Sequence, residues 1–228
     1  MAASHIAEDA DLIFCLMPKP FANRPGSRFQ LRLSIINTDG KAAMADIEDT
    51  HGLSNIGKQI VAGQLAQSPA LDAFHAPSVN SYKRLVVGRL LSGTTFAPAH
   101  IGLGDNNSTT VLRTFANHLE LDGTSNIYLA IASTIAAMLD GIEQQLTPPA
   151  LIDEDVYEWD EAEFAKRNVK TLPQNLDEAL NVLRVDTVLI KVLGEDFIAQ
   201  YLATKTPEWV DYCRSISNWE YKHYLSWP

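Results

Sequence analysis

The sequence predicts an α+β fold, with a sheet of short strands in the first half of the chain, helices behind it, and a helical C-terminal half. Three observations carry this. Residues 29–36, FQLRLSII, alternate apolar and polar side chains, the period-two pattern of a half-buried strand. Between Pro77 and Asn126, Gly, Asn, Ser and Thr punctuate the short runs AHIGL, TTVLRTF and HLEL, which reads as strands joined by loops. From Asn126 onward apolar residues recur mostly at helical spacing, and strands gathered ahead of helices make an α+β pattern.

Taken in order, the elements justify themselves locally. Residues 1–16 are an acidic lead-in, without the basic region of a signal peptide. MPKPFANRPGS follows, and its prolines and Gly26 make it a loop. The strand at 29–36 turns Phe29, Leu31, Leu33 and Ile35 one way and Gln30, Arg32 and Ser34 the other. Leu53, Ile56, Ile60, Leu65 and Leu71 predict a helix over 52–74 that Pro69 bends or ends. Residues 126–146 are rich in Ala, Leu and Ile and predict a mostly buried helix, stopped by Pro148 and Pro149. The acidic stretch 153–163 reads as a surface loop or short helix. NLDEALNVLR then offers an Asn cap with Asp177 and Glu178 in the first turn. Near the end, Trp209, Tyr212, Cys213, Ile216 and Trp219 are spaced as one helical packing stripe.

Composition narrows the function classes. A content of 46% hydrophobic and 20% charged residues is that of a globular chain, long enough at 228 residues to bury a proper core. With 28 acidic against 18 basic side chains, and the basic ones scattered, the net charge of -10 argues against nucleic acid and anionic membranes as partners. No apolar run approaches the ~20 residues of a membrane span. Cys15 and Cys213 stand far apart without a CxxC or histidine companion, which signals neither a disulfide framework nor zinc and fits a reducing cytoplasm.

Four strings then arrive in one order: MPKPF with PGS (17–27), NSYKRL (80–85), GDNN (104–107), and LEL with DGTSNIYLA (119–130), followed by AAMLDGIE, LPQNLDEAL and ISNWEYKHYL. In these the chain resembles the glutamine synthetase family. GRLLSGTTFAPAHIGLGDNN and PEWVDYCRSISNWE look most like the branch that includes type III glutamine synthetases and glutamate–methylamine ligases. The resemblance covers residues 17–228 as the C-terminal part of the catalytic domain, an antiparallel sheet backed by helices. The family's N-terminal β-grasp domain has no counterpart in it. An incomplete sheet would leave an edge free to associate.

The resemblance implies an ATP-dependent ligase. ATP phosphorylates the side-chain carboxylate of glutamate, ammonia or a small amine displaces the phosphate, and Mg or Mn assists. Homo- or hetero-oligomers with glutamine synthetase-like subunits are implied as well. Carried over by motif, Arg84 grips the substrate carboxylate, a task suited to a planar guanidinium, with a surface salt bridge as its simpler reading. Gly26 lies where the backbone approaches glutamate. Arg113 acts on phosphate and Ser34 lies near the nucleotide. Glu120 is a metal carboxylate, with His118 two positions earlier on the same strand face.

The departures from the family pattern fall on chemistry. Where the family has GSGMHxHxS, this chain has GSRFQLRLS, with Gln30 at a metal-ligand histidine and Arg32 at a nucleotide-contacting one. Ser108 stands where an arginine follows GDNN, the Arg-Leu-Pro after LEL is missing, and Asn117 and His118 supply no arginine for nucleotide. Such losses are those expected of the rival reading, a non-catalytic subunit that assembles with a complete homologue.

Overall fold

The computed structural model describes residues 2–87, 97–105, 107, 109–113 and 118–226, and of residues 113 and 118–120 the backbone. Five strands, β1 (Phe29–Arg32), β2 (His100–Gly104), β3 (Thr110–Arg113), β4 (His118–Leu121) and β5 (Lys170–Thr171), form one sheet in the order β1-β4-β3-β2-β5. Eight described helices accompany it: α1 (Ala2–Asp9), α2 (Asn55–His75), α3 (Ile127–Glu143), α4 (Glu161–Arg167), α5 (Leu176–Val185), α6 (Thr187–Leu193), α7 (Glu195–Arg214) and α8 (Asn218–Tyr224). The α+β class and the helical C-terminal half hold. None of the described helices is long and apolar enough to cross a membrane.

The sheet departs from the expected one in a single pairing. β1 with β4, β4 with β3, and β2 with β5 are antiparallel, whereas β2 and β3 are parallel, with an irregular register between His100 and Leu103. Asn107 supports the return of the chain between them. Its side-chain amide donates to the carbonyls of Ile152 (2.9 Å) and Glu154 (2.7 Å), and its Oδ1 accepts from the Thr109 N–H at 2.9 Å.

α2 and α3 cover one face of the sheet, where Leu31, Val61, Leu65, Leu112, Leu121 and Ala130 pack together. Ser54 caps α2, accepting from the Gly57 N–H at 3.0 Å. Pro69 does not end the helix, which continues to His75. A proline leaves the carbonyl four residues back without its donor, and the Ser68 hydroxyl donates to that Leu65 carbonyl at 2.8 Å. The two helices cross at glycines. A β-carbon on Gly63 would overlap the Ala137 carbonyl oxygen and come within 2.8 Å of the Gly141 α-carbon; one on Gly141 would overlap the Gln59 carbonyl oxygen.

A second core joins the C-terminal half of α2 to α5, α6 and α7 through Phe74, Leu176, Leu180, Leu183, Leu189 and Ile198. Asn175 caps α5 as expected, accepting from the Glu178 N–H at 2.9 Å. Two apolar expectations need correction. The first strand ends at Arg32; Leu33 still packs on the sheet core and, with Ile35, also against Met44, Ile60 and Met138. The aromatic stripe is not one packing face: Trp209 packs on the core, but α7 stops at Arg214 and leaves Tyr212, Cys213, Ile216 and Trp219 exposed.

Two outcomes follow from this packing. Gly141→Ala is expected to lower unfolding stability by about 3 kcal/mol in urea titration, because the added carbon forces the helices apart. His75, buried between α2 and α3 against the Thr134 hydroxyl (3.1 Å), has its pKa lowered by burial from 6.5 to about 4. The unfolded chain therefore takes up a proton that the folded chain refuses. His75's contribution is intact above pH 6.5 and is lost as the pH falls toward 4, by about 3 kcal/mol in all. His75→Phe removes that slope. Asp72, whose carboxyl is shifted upward, contributes with the opposite sign in both proteins and cancels in the comparison.

Candidate functional site

The burial of Leu31, Leu112 and Leu121 fixes which way each strand faces. Because successive residues alternate across a sheet, Gln30, Arg32, Arg113, His118 and Glu120 occupy positions on the face turned away from that core. Register arranges them in two rows. Gln30 pairs with Glu120, while Arg32 pairs with His118, which pairs in turn with Arg113. Gln30, Arg32 and Ser34 are exposed, Ser34 two residues past the end of β1. Ser108 and Asn117 lie outside the described residues.

Gly26 and Arg84, far apart in sequence, are brought into contact. A β-carbon on Gly26 would overlap the Pro18 carbonyl oxygen and lie 2.9 Å from Arg84 Cδ. The Ser27 N–H donates to that same carbonyl at 2.8 Å. The φ of Gly26 is not positive, so this glycine answers a close approach rather than a turn. The segments that hold the two residues are tied by Asn80, which sequence reasoning passed over. Its Oδ1 accepts from the Lys19 N–H at 2.8 Å, and its amide donates to the Lys19 carbonyl at 3.1 Å.

Arg84 is not a surface ion pair. It is 3% exposed and donates to the Leu121 carbonyl at 3.4 Å. The buried Asp72 lies within its electrostatic reach, and the buried Asp122 lies within reach of Asp72. Burial, reinforced by the charge of Asp122, raises the Asp72 carboxyl well above the usual carboxylate range, and Arg84 pulls it back in part. Arg84, Asp72 and His75 line a cavity of about 30 Å³, which holds water-sized guests and not an amino acid. A larger hollow of about 510 Å³ opens between α2, β2 and the 146–152 segment, and its lining includes none of the candidate site residues Gly26, Ser34, Arg84, Arg113 and Glu120.

Could the face hold a divalent ion? Mg and Mn favour several oxygen donors, carboxylates above all. The register offers one carboxylate position, Glu120, opposite an amide, Gln30, with the arginine position 32 next along the strand. Among the described residues no group of three His, Cys, Asp or Glu is arranged to hold a metal. Among the described residues the donors placed on this face are fewer than a Mg or Mn site favours.

Comparison with known proteins follows the same lines. The profile of the glutamine synthetase catalytic domain matches residues 1–224. The chain is 44% identical to a glutamate–methylamine ligase of Methyloversatilis universalis over 99% of its own length and 52% of that protein's. It is 34% identical to a glutamine synthetase of Clostridium saccharobutylicum over 99% of this chain and 51% of that one. A solved GmaS complex with ADP superimposes with a TM-score of 0.87 at 35% identity, covering 98% of this chain and 52% of that one. The chain thus spans about half the length of the relatives it matches.

The contact of Gly26 with Pro18 and Arg84 makes a direct prediction. Gly26→Ala is expected to lower the melting temperature by about 4–8 °C in a thermal scan, as a loss of about 2 kcal/mol would in a chain of this size.

Proposed function

The chain belongs to the glutamine synthetase family, and from that premise we propose that it serves an ATP-dependent ligase reaction joining glutamate to methylamine or ammonia. The observation that carries this is the 44% identity to a glutamate–methylamine ligase along 99% of the chain, against 34% to a glutamine synthetase over the same span. That difference favours methylamine as the acceptor. In the proposed reaction the side-chain carboxylate of glutamate attacks the γ-phosphorus of ATP and ADP leaves. The amine then attacks the acyl carbon, inorganic phosphate leaves, and the amine's proton passes to solvent.

Each residue has a bounded task. The family motif gives Arg84 the substrate carboxylate and Gly26 the backbone approach to it, and here the two residues are packed together with Arg84 buried. Arg113 is suited to the phosphoryl oxygens, whose charge an arginine neutralises through directed hydrogen bonds. Ser34 can donate its hydroxyl to the nucleotide. Glu120 is the one carboxylate position on the open face. Oligomeric assembly is typical of the family, and we place this chain beside glutamine synthetase-like subunits, its own or another's, that supply the remaining carboxylates.

A second reading has an observation of its own. Gln30 and Arg32 occupy the row positions across from Glu120 and His118, which suits a non-catalytic subunit that has kept the scaffold.

The deciding assay supplies glutamate, ATP, Mg or Mn, and either methylamine or ammonia, and measures ADP and the glutamyl amide together. Product above that of Glu120→Gln, with Arg113→Ala slower by about a hundredfold, is the expected result. A folded sample that forms neither ADP nor amide supports the second reading.

A further inference from the structure

Asp72 and Arg84 line the cavity of about 30 Å³ together with Ser68 and His75. Both are almost wholly buried, at 4% and 3% exposure. The Oδ2 atom of Asp72 is buried and meets no hydrogen-bond donor among the described residues, although Arg84 stands near enough for its charge to act on the carboxyl. Asp122, the other buried acid nearby, has donors on one oxygen: its Oδ1 accepts from the Thr124 N–H at 2.7 Å and from the Thr124 hydroxyl at 2.5 Å. A buried carboxyl oxygen without a donor is costly, and the space beside Asp72 has the size of a water molecule. The groups around it complement one. Arg84 brings N–H donors and no acceptor. The Ser68 hydroxyl gives its proton to the Leu65 carbonyl at 2.8 Å and keeps an accepting lone pair. A water between them takes an N–H from Arg84 and gives its two protons to Asp72 Oδ2 and Ser68 Oγ.

We propose that Asp72 is a positioning residue for Arg84, acting through one water bound in this cavity. Asp72 belongs to α2, whose place is set by the glycine crossing with α3. Arg84 follows the single turn at residues 81–83, which Asn80 ties to Lys19. The water joins these two otherwise separate supports. Arg84 also donates to the Leu121 carbonyl at 3.4 Å, a long bond for a guanidinium, so a further tie to α2 restricts the side chain where that bond alone holds it weakly. Leu71, Leu85 and Val111 complete the lining with apolar groups, which leaves the polar partners few and their directions fixed. The water rests on the cavity and its lining; its consequence for glutamate, which then meets an arginine already held in place, rests on the proposed function.

The test is water-selective nuclear Overhauser spectroscopy of the whole chain, with the Arg84 Nε–H resonance identified by its loss in Arg84→Lys. A cross peak from a bound water to Arg84 is expected in the parent and in Asp72→Asn, whose amide oxygen accepts as the carboxyl does. It is expected to vanish in Asp72→Leu, whose side chain has no acceptor. Asp72→Val, which adds less bulk, serves the same comparison where Asp72→Leu does not fold. In the ligase assay Asp72→Leu should raise the KM for glutamate about tenfold, with kcat and the KM for ATP close to the parent's. Asp72→Asn should recover most of that loss, as a purely structural deficit would not. The proposal is overturned if the parent shows no bound-water cross peak, if Asp72→Leu keeps it, or if Asp72→Leu and an active parent share one glutamate KM. A folded chain with the Asp72-dependent cross peak that forms no amide would refute the ligase reading and leave the positioning of Arg84 standing. Amide formation by a parent without the cross peak would do the reverse.

Discussion

Two helices can approach until their backbones touch only where both have given up their side chains, and α2 and α3 do so at Gly63 and Gly141. Each position lacks room for even a methyl group, since the opposing helix presents a carbonyl oxygen there. That approach sets how the pair lies on the sheet. Val61 and Leu65 of α2 and Ala130 of α3 reach Leu31, Leu112 and Leu121 together, so the inner face of three adjacent strands is fixed from one crossing. The outer face is fixed with it, because a strand that buries its odd positions must offer its even ones to the other side.

A second set of constraints joins segments that are remote in sequence. Asn80 bonds the Lys19 backbone through both its donor and its acceptor, Gly26 rests on Pro18 and Arg84, and Arg84 reaches the Leu121 carbonyl at the end of β4. The Asp122 N–H continues the series to the His75 carbonyl at 3.0 Å, which also accepts from Ser125 Oγ at 2.7 Å. The family strings that follow one another along the chain are thus bonded neighbours in space. Burying an arginine is costly unless nearby groups compensate its charge. Burial, reinforced by the charge of Asp122, raises the Asp72 carboxyl, and Arg84 offsets that rise in part.

Much of the fold was legible in the sequence because its signals are local. The alternation at residues 29–32, the Asn175 cap and the Ala-rich helix after Asn126 depend on near neighbours, and each stands where it was read. The misreadings involve partners that no spacing reveals. Leu33 and Ile35 keep the strand pattern past the end of β1 and pack against Met44, Ile60 and Met138, Leu33 on the sheet core as well. Pro69 is tolerated because the preceding serine fills the vacant acceptor. The parallel pairing of β2 with β3 is accompanied by hydrogen bonds from Asn107 to residues 152 and 154. At the site, motif comparison identified Arg84 and Gly26 and could not show that one is buried and the other pressed against it. It named Gln30 and Arg32 as departures without showing which residue each would face.

Pairing gives those departures their meaning. Had Gln30 and Arg32 been scattered replacements on a decaying surface, no particular chemistry would connect them to their cross-strand partners. Instead the amide stands opposite the carboxylate position, and the arginine opposite a histidine that is itself paired with a second arginine. One row sets a single carboxylate position opposite an amide, and the adjacent row sets arginine positions on either side of a histidine position. Both changes lie on a strand of only four residues, so they alter the electrostatics of the open face without touching the crossing at Gly63 and Gly141. A scaffold fixed from its buried side leaves the opposite face free to change its chemistry, which is how the motifs of this chain can depart from the family while a relative still superimposes with a TM-score of 0.87.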